Sequence, residues 1–207
     1  MDTVFLHLLD IRSARGREPD ILSLLPPARA DKANRFIRED DRLLSLCAGY
    51  LLFRYVGGYT VDRFGKPKSD KCFFSLSHAG GLAAIAVGEK NELGLDLERK
   101  RTGPDTASLA GYCLSEEEKA AFPLDEDFLP AFVAKESLAK AEGRGLGKPV
   151  KAIPALPLNG AVLYENKTFY RHSFERNGYL FSVSQEEHDF TVETDEIEVD
   201  LCCLNNC

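Results

Sequence analysis

The run Leu93-Gly94-Leu95-Asp96-Leu97-Glu98 alternates leucine with a second residue type without a break. Successive side chains of a strand leave on opposite faces, so the three leucines share one face and Gly94, Asp96 and Glu98 the other. Such a strand must bury its leucine side, while its other side carries two carboxylates roughly 6–7 Å apart along the backbone. Like charges that close repel unless a cation lies between them, and carboxylate oxygens suit Mg²⁺. Gly94 leaves the same face open to a ligand. A half-exposed strand bearing two solvated acids is the plainer alternative, and the motif by itself admits both.

The surrounding chain reads as α+β. Residues 3–10 alternate as a strand, and Ala30–Tyr55 reads as one long helix, basic at its start and apolar later. Glycines and Pro67 make 57–71 a loop. Strands are expected at Cys72–Ser77, Leu82–Gly88 and Glu92–Glu98, and Thr102-Gly103-Pro104 breaks the pattern as a domain boundary. Ser115 with Glu118 three residues on forms a capping box that opens a helix. A second helix is expected from Phe128 to Glu142, then a Gly- and Pro-rich passage over 143–160 and a last set of strands. Phe74-Ser75-Leu76-Ser77 recurs as Phe181-Ser182-Val183-Ser184. With a long helix before the strands of each half, this echo suggests two similar α+β halves, 1–102 and 103–207, packed as an intramolecular pseudo-dimer.

A second motif lies on the Phe128–Glu142 helix. At about 100° per residue, Glu136 and Lys140 fall inside the stripe defined by Leu129, Phe132 and Val133. A surface ion pair belongs on a solvated face; charges on a packed face need partners, and a metal and a phosphate would supply them. Ser77-His78-Ala79-Gly80-Gly81 puts polar side chains at a strand end ahead of glycines, where His78 either binds phosphate or caps the turn. Gly65-Lys66-Pro67 sets a cation on a constrained loop. Charge is uneven: ten basic residues face six acids between Arg29 and Lys71, whereas Gln185–Leu201 holds eight acids and no Lys or Arg. The first region suits an anion and the second a solvated tail.

The net charge of −7 argues against an extended nucleic-acid surface. The longest apolar run, at Leu82–Val87, is strand-length and far from the roughly 20 residues that span a bilayer. Without a basic secretory start, and with the six cysteines mostly scattered, a cytoplasmic protein with reduced thiols is expected. Cys202-Cys203-Leu204-Asn205-Asn206-Cys207 lacks metal-site spacing and reads as a frayed tail.

Taken in order, the basic helix, the Gly-Lys-Pro loop, the Ser-His turn, the Gly-x-Asp-x-Glu strand and the Lys-Glu-x-x-x-Lys helix resemble the 4′-phosphopantetheinyl transferases. The similarity is to their double-length, surfactin-synthetase-activating type. It covers about Lys32 to Leu146 and includes Glu142-Gly143-Arg144-Gly145-Leu146. Phe132 departs from it, standing where the family has Trp. The resemblance implies the transferase fold and the transfer of the phosphopantetheine arm of coenzyme A to a serine of an apo acyl or peptidyl carrier protein. The by-product is 3′,5′-ADP, and the setting is secondary metabolite biosynthesis. It implies Asp96, Glu98 and Glu136 as ligands of Mg²⁺, with Mn²⁺ as a substitute. Glu136 is the implied base and Lys140 the neutraliser of the pyrophosphate. Lys66 and Pro67 would border the adenine, Ser77 and His78 hold the nucleotide phosphates, and Lys32 and Arg35 meet the 3′-phosphate. Lys135 is a further phosphate-side candidate. A monomer is implied, with no nucleic-acid or membrane partner. A non-catalytic module that binds coenzyme A or a carrier, and a metal-dependent phosphohydrolase, remain alternatives.

Overall fold

The computed structural model describes residues 2–101, 110–122, 128–143 and 149–201. The boundary at Thr102-Gly103-Pro104, Arg144-Gly145-Leu146 and the terminal cysteine cluster lie outside the described residues. Ten strands and five longer helices follow in chain order: β1 (Asp2–Asp10), α1 (Glu18–Leu24), α2 (Pro27–Asn34), α3 (Glu39–Tyr55), β2 (Thr60–Val61), β3 (Pro67–Lys68), β4 (Phe73–Ala79), β5 (Leu82–Gly88), β6 (Leu93–Arg99), α4 (Glu116–Ala121), α5 (Phe128–Glu142), β7 (Gly160–Tyr164), β8 (Lys167–Arg176), β9 (Tyr179–Glu186) and β10 (Phe190–Ile197). No helix among the described residues is long and apolar enough to cross a membrane.

Two four-stranded sheets organise the chain, in the orders β10-β1-β5-β4 and β6-β9-β8-β7. Val4, Leu6 and Leu8 of β1, Ala84 and Ala86 of β5, Leu93, Leu95 and Leu97 of β6 and Phe181 and Val183 of β9 form one buried layer between the sheets. The three leucines of the opening motif therefore share a face, as their spacing requires. On the far side of the first sheet, α3 packs Leu43, Leu46, Cys47, Tyr50 and Leu51 against Leu9, Ile85 and Phe74. On the far side of the second, α5 crosses β6 and β9. There Ser137 Oγ lies 2.9 Å from both Ser182 Oγ and Ser184 Oγ. Small side chains on both elements let them approach closely. Gly94 completes the seam: a Cβ there would stand 2.0 Å from Ser137 O and 2.3 Å from Ala141 N. The space at Gly94 is taken by α5 rather than left for a ligand.

Several expectations need correction. The helix expected over 30–55 is two, α2 and α3, joined through Arg38 in extended conformation (φ −79°, ψ 132°). Glu39, Asp40 and Asp41 explain the restart, since acids favour the positive end of a helix dipole. The expected loop over 57–71 carries the β2–β3 ribbon, turned by Asp62 Oδ1 accepting from Phe64 N (2.8 Å) and Lys66 N (2.9 Å). The acidic C-terminal stretch is β10, paired in parallel with β1 from Asp2↔Phe190 to Leu9↔Ile197. A division into 1–102 and 103–207 thus cuts both sheets, because β6 pairs with β9 and β10 with β1. The four-residue echo also marks non-equivalent strands: β4 is an outer strand, whereas β9 lies inside its sheet. What does repeat is connectivity. Strand, helix and hairpin occur as β1, α3, β4–β5 and again as β6, α5, β8–β9, the first strand pairing antiparallel with the last in each case.

Candidate active site

The outer strands β4 and β6 meet at one edge of the two sheets. A cavity of about 780 Å³ opens there between α2, α3, the β2–β3 ribbon and α5. Its walls carry Asp96 and Glu98 from β6, Glu136 and Lys140 from α5, Ser77 and His78 from β4, Lys66 and Pro67 from the ribbon, and Lys32 from α2. Strand alternation turns Asp96 and Glu98 to the same side. One turn of helix separates Glu136 from Lys140, so α5 presents both to that side as well.

The centre of the site is Asp96, which is 6% exposed. Its Oδ1 accepts from Ser77 Oγ at 2.8 Å and from Lys140 Nζ at 2.7 Å. Lys140 Nζ also donates to Leu95 O (3.0 Å) and Ser77 Oγ (3.2 Å). Ser77 and Lys140, expected to face phosphate, are both turned toward Asp96. Burial and then the Asp96 charge raise the pKa of Glu98 above the ordinary glutamate value, while Arg101 and Lys140 oppose the rise. Glu136 is raised by burial, by Asp96 and by Glu98, with Lys140 again opposing. The three carboxylates feel one another and share one cation, Lys140. Among the described residues, no three Asp, Glu, His or Cys side chains stand close enough to hold a metal ion as they are. The donor chemistry still suits a hard divalent ion, being all oxygen with an uncompensated excess of negative charge.

The same cavity also carries cationic groups. Arg29, absent from the sequence expectations, lines the cavity one helical turn before Lys32. Its Nε is buried without a hydrogen-bond partner. Burial lowers the pKa of Arg29. Burial, then Arg29, lowers that of Lys32. The ring of His78 is open to the cavity, yet the protein around it, then Lys140 and then Arg29 and Lys32, depress its pKa. Tyr59, Leu52 and Phe74 add an apolar stretch, and Phe132 of α5, where the resembled family has Trp, also lines the wall. Acids and cations lining one cavity suit a phosphorylated ligand that brings its own counter-ion.

Two expected residues lie outside the cavity lining, and a third lines it with its ammonium already held by the protein. Arg35 ends α2 in solvent and does not line the cavity, because the helix stops at Asn34 and the chain turns away. Lys135 is fully buried on another side of α5. It pairs with Glu118 Oε2 at 2.7 Å, and its ammonium also donates to Val150 O (3.3 Å) and to Ile153 O. Glu118 Oε1 in turn accepts from Ala155 N at 2.7 Å. Lys135 is therefore no phosphate-side group. Lys66 does line the cavity, but its Nζ is held by Glu92 Oε2 (2.6 Å), Leu93 O (3.3 Å) and Ala141 O (3.4 Å), tying the ribbon to β6 and α5. Glu92 had no sequence signal, because its partners Lys66 and Lys68 stand 26 and 24 residues away.

Residues 92–193 match the family model of the 4′-phosphopantetheinyl transferase superfamily. The chain is also similar to the 4′-phosphopantetheinyl transferase HetI of Nostoc sp. strain PCC 7120, at 27% identity over 169 residues, covering 71% of each chain. The matched span begins at Glu92 and takes in Asp96, Glu98, Glu136 and Lys140.

Proposed function

We propose that the chain, whose residues 92–193 match the 4′-phosphopantetheinyl transferase superfamily and which is an enzyme of that type, transfers the phosphopantetheine arm of coenzyme A to a serine hydroxyl of an apo carrier protein. The serine oxygen bonds to the β-phosphorus of the pyrophosphate, the bond to the bridging oxygen breaks, and 3′,5′-ADP leaves. The observation that carries this reading is one cavity lined both by three carboxylates and by Arg29, Lys32 and His78.

Asp96, Glu98 and Glu136 would hold Mg²⁺. That ion supplies charge neutralisation at the pyrophosphate, the main requirement of phosphoryl transfer. Lys32, Arg29 and His78 receive the nucleotide phosphates. Lys66 and Pro67 present the ribbon to the adenine, with Tyr59 and Phe74 as apolar wall. Lys140 steadies the departing oxygen. Glu136 takes the serine proton. We read the repeated strand, helix and hairpin as an internal pseudo-dimer acting as a monomer, of the double-length type.

The test is to incubate the protein with coenzyme A, Mg²⁺ and a panel of apo acyl and peptidyl carriers and to weigh each carrier intact. One carrier gaining a single phosphopantetheine, with 3′,5′-ADP released in equal amount, is the expected result. Nucleotide release without any carrier, or coenzyme A held without turnover, overturns it.

A further inference from the structure

Lys140 brings a positive charge to the carboxylates that line the cavity. Its ammonium sits 2.7 Å from Asp96 Oδ1. Its side chain is one-third exposed at the cavity wall. Its other two partners, Leu95 O and Ser77 Oγ, are neutral acceptors. Asp96, by contrast, stays oriented if the lysine departs, because Ser77 Oγ still donates to it and Leu97 N donates to Ser77 Oγ at 3.4 Å.

We propose that Lys140 is a resident counter-ion that keeps a divalent cation out of the carboxylate end until a phosphorylated ligand draws its ammonium away. The proposal rests on the transferase reading of the cavity and adds an order of events to it. In the free protein one positive charge already lies among the three acids, so an incoming dication must displace or face it. A pyrophosphate entering beside Lys140 offers the ammonium an anion of higher charge than Asp96. The lysine moves, Asp96 is released, and metal and phosphorylated ligand load together. A ligand that shifts an equilibrium does so by its differential contacts with the two states, and here those contacts are with a single side chain. Linkage makes the effect reciprocal, so metal and phosphorylated ligand each tighten the other.

The experiment measures Mn²⁺ affinity by electron paramagnetic resonance on the intact protein without coenzyme A. Lys140→Met removes the resident charge and is expected to bind Mn²⁺ about tenfold more tightly than the wild type, within the usual range of such couplings. Lys140→Arg keeps the charge and should stay as weak as the wild type. Thermal melts of all three proteins establish that each is folded, and Lys140→Gln replaces Lys140→Met if that variant is not. Equal or weaker Mn²⁺ binding by the neutral variant, or no binding by it at millimolar Mn²⁺, overturns the proposal. The transfer assay above is read separately. Wild-type transfer with an unchanged Mn²⁺ affinity in Lys140→Met removes the gating role alone, whereas the absence of transfer removes the transferase reading.

Discussion

Glu136 gathers the opposing demands of this site on one side chain. Its folded-state pKa, like that of Glu98, lies above the unfolded value, chiefly through burial and Asp96. Folding therefore favours the protonated acid, and the associated stability is fully present below the unfolded pKa of about 4.3 and is lost as pH rises through the folded pKa. At neutral pH both ionised carboxylates oppose folding. Glu136→Gln should raise the melting temperature at pH 7, with the gain shrinking toward pH 4, while transfer to a carrier falls by about a hundredfold or more from loss of the proposed base. A lower melting temperature together with near-native turnover contradicts both assignments. These acids were legible in the sequence because strand and helix periodicity set their faces. Arg29 was missed because one more arginine in a basic stretch carries no local mark, and only its place one turn from Lys32 hinted at it. Lys140 on Asp96 was beyond reading, since 44 residues separate the partners.

The α5–β6 seam is where element packing sets the chemistry. Gly94 lies against the α5 backbone, so Gly94→Ala must push the helix, with Glu136 and Lys140 on it, away from Asp96. Overpacking of this kind costs about 3 kcal/mol. Urea denaturation should show that loss, and the carrier assay should show a larger fall in kcat than in coenzyme A affinity; unchanged stability would mean that β6 shifts freely. Lys135 anchors another side of the same helix through Glu118, with Arg171 close by. That arginine, its pKa lowered to about 10 by burial, bonds Ala155 O (2.7 Å), Pro154 O (3.0 Å) and Pro157 O (3.1 Å). Lys135→Met leaves a buried carboxylate without its cation and should cost about 3–5 kcal/mol. Removing both charges in Lys135→Met/Glu118→Leu should recover part of that loss in the same urea titration, and no recovery would show that the pair is not the unit. The bounds of α5 followed from apolar spacing, and the start of α4 from its capping box, in which Ser115 Oγ accepts from Glu118 N and Glu118 returns to Ser115 N. The break between α2 and α3 was written in the Glu39-Asp40-Asp41 triplet but lost within an otherwise helical composition.

Across the whole molecule the decisive contact joins the two ends of the described chain. β10 lies along β1, and Phe190, 1% exposed, reaches the layer between the sheets. No sequence pattern reports a parallel pair 188 residues apart, and the alternating acids on β10 read as a tail because they also suit the open side of an outer strand. Ending the chain at His188 should therefore unfold the first sheet rather than trim a tail. Circular dichroism and gel filtration should show lost structure and aggregation; a folded monomer of that length would refute the role given to β10. The cavity depends on this frame, because β4 and β6 meet only when both sheets are complete. Whether the acids of β6 and α5 converge on one cation is best decided by anomalous scattering from crystals grown with Mn²⁺ and coenzyme A. The expected result is one ion within about 2.0–2.5 Å of oxygens from Asp96, Glu98 and Glu136, with pyrophosphate oxygens completing its shell. An ion held elsewhere, or carboxylates still facing Lys140 with the pyrophosphate bound, would contradict it.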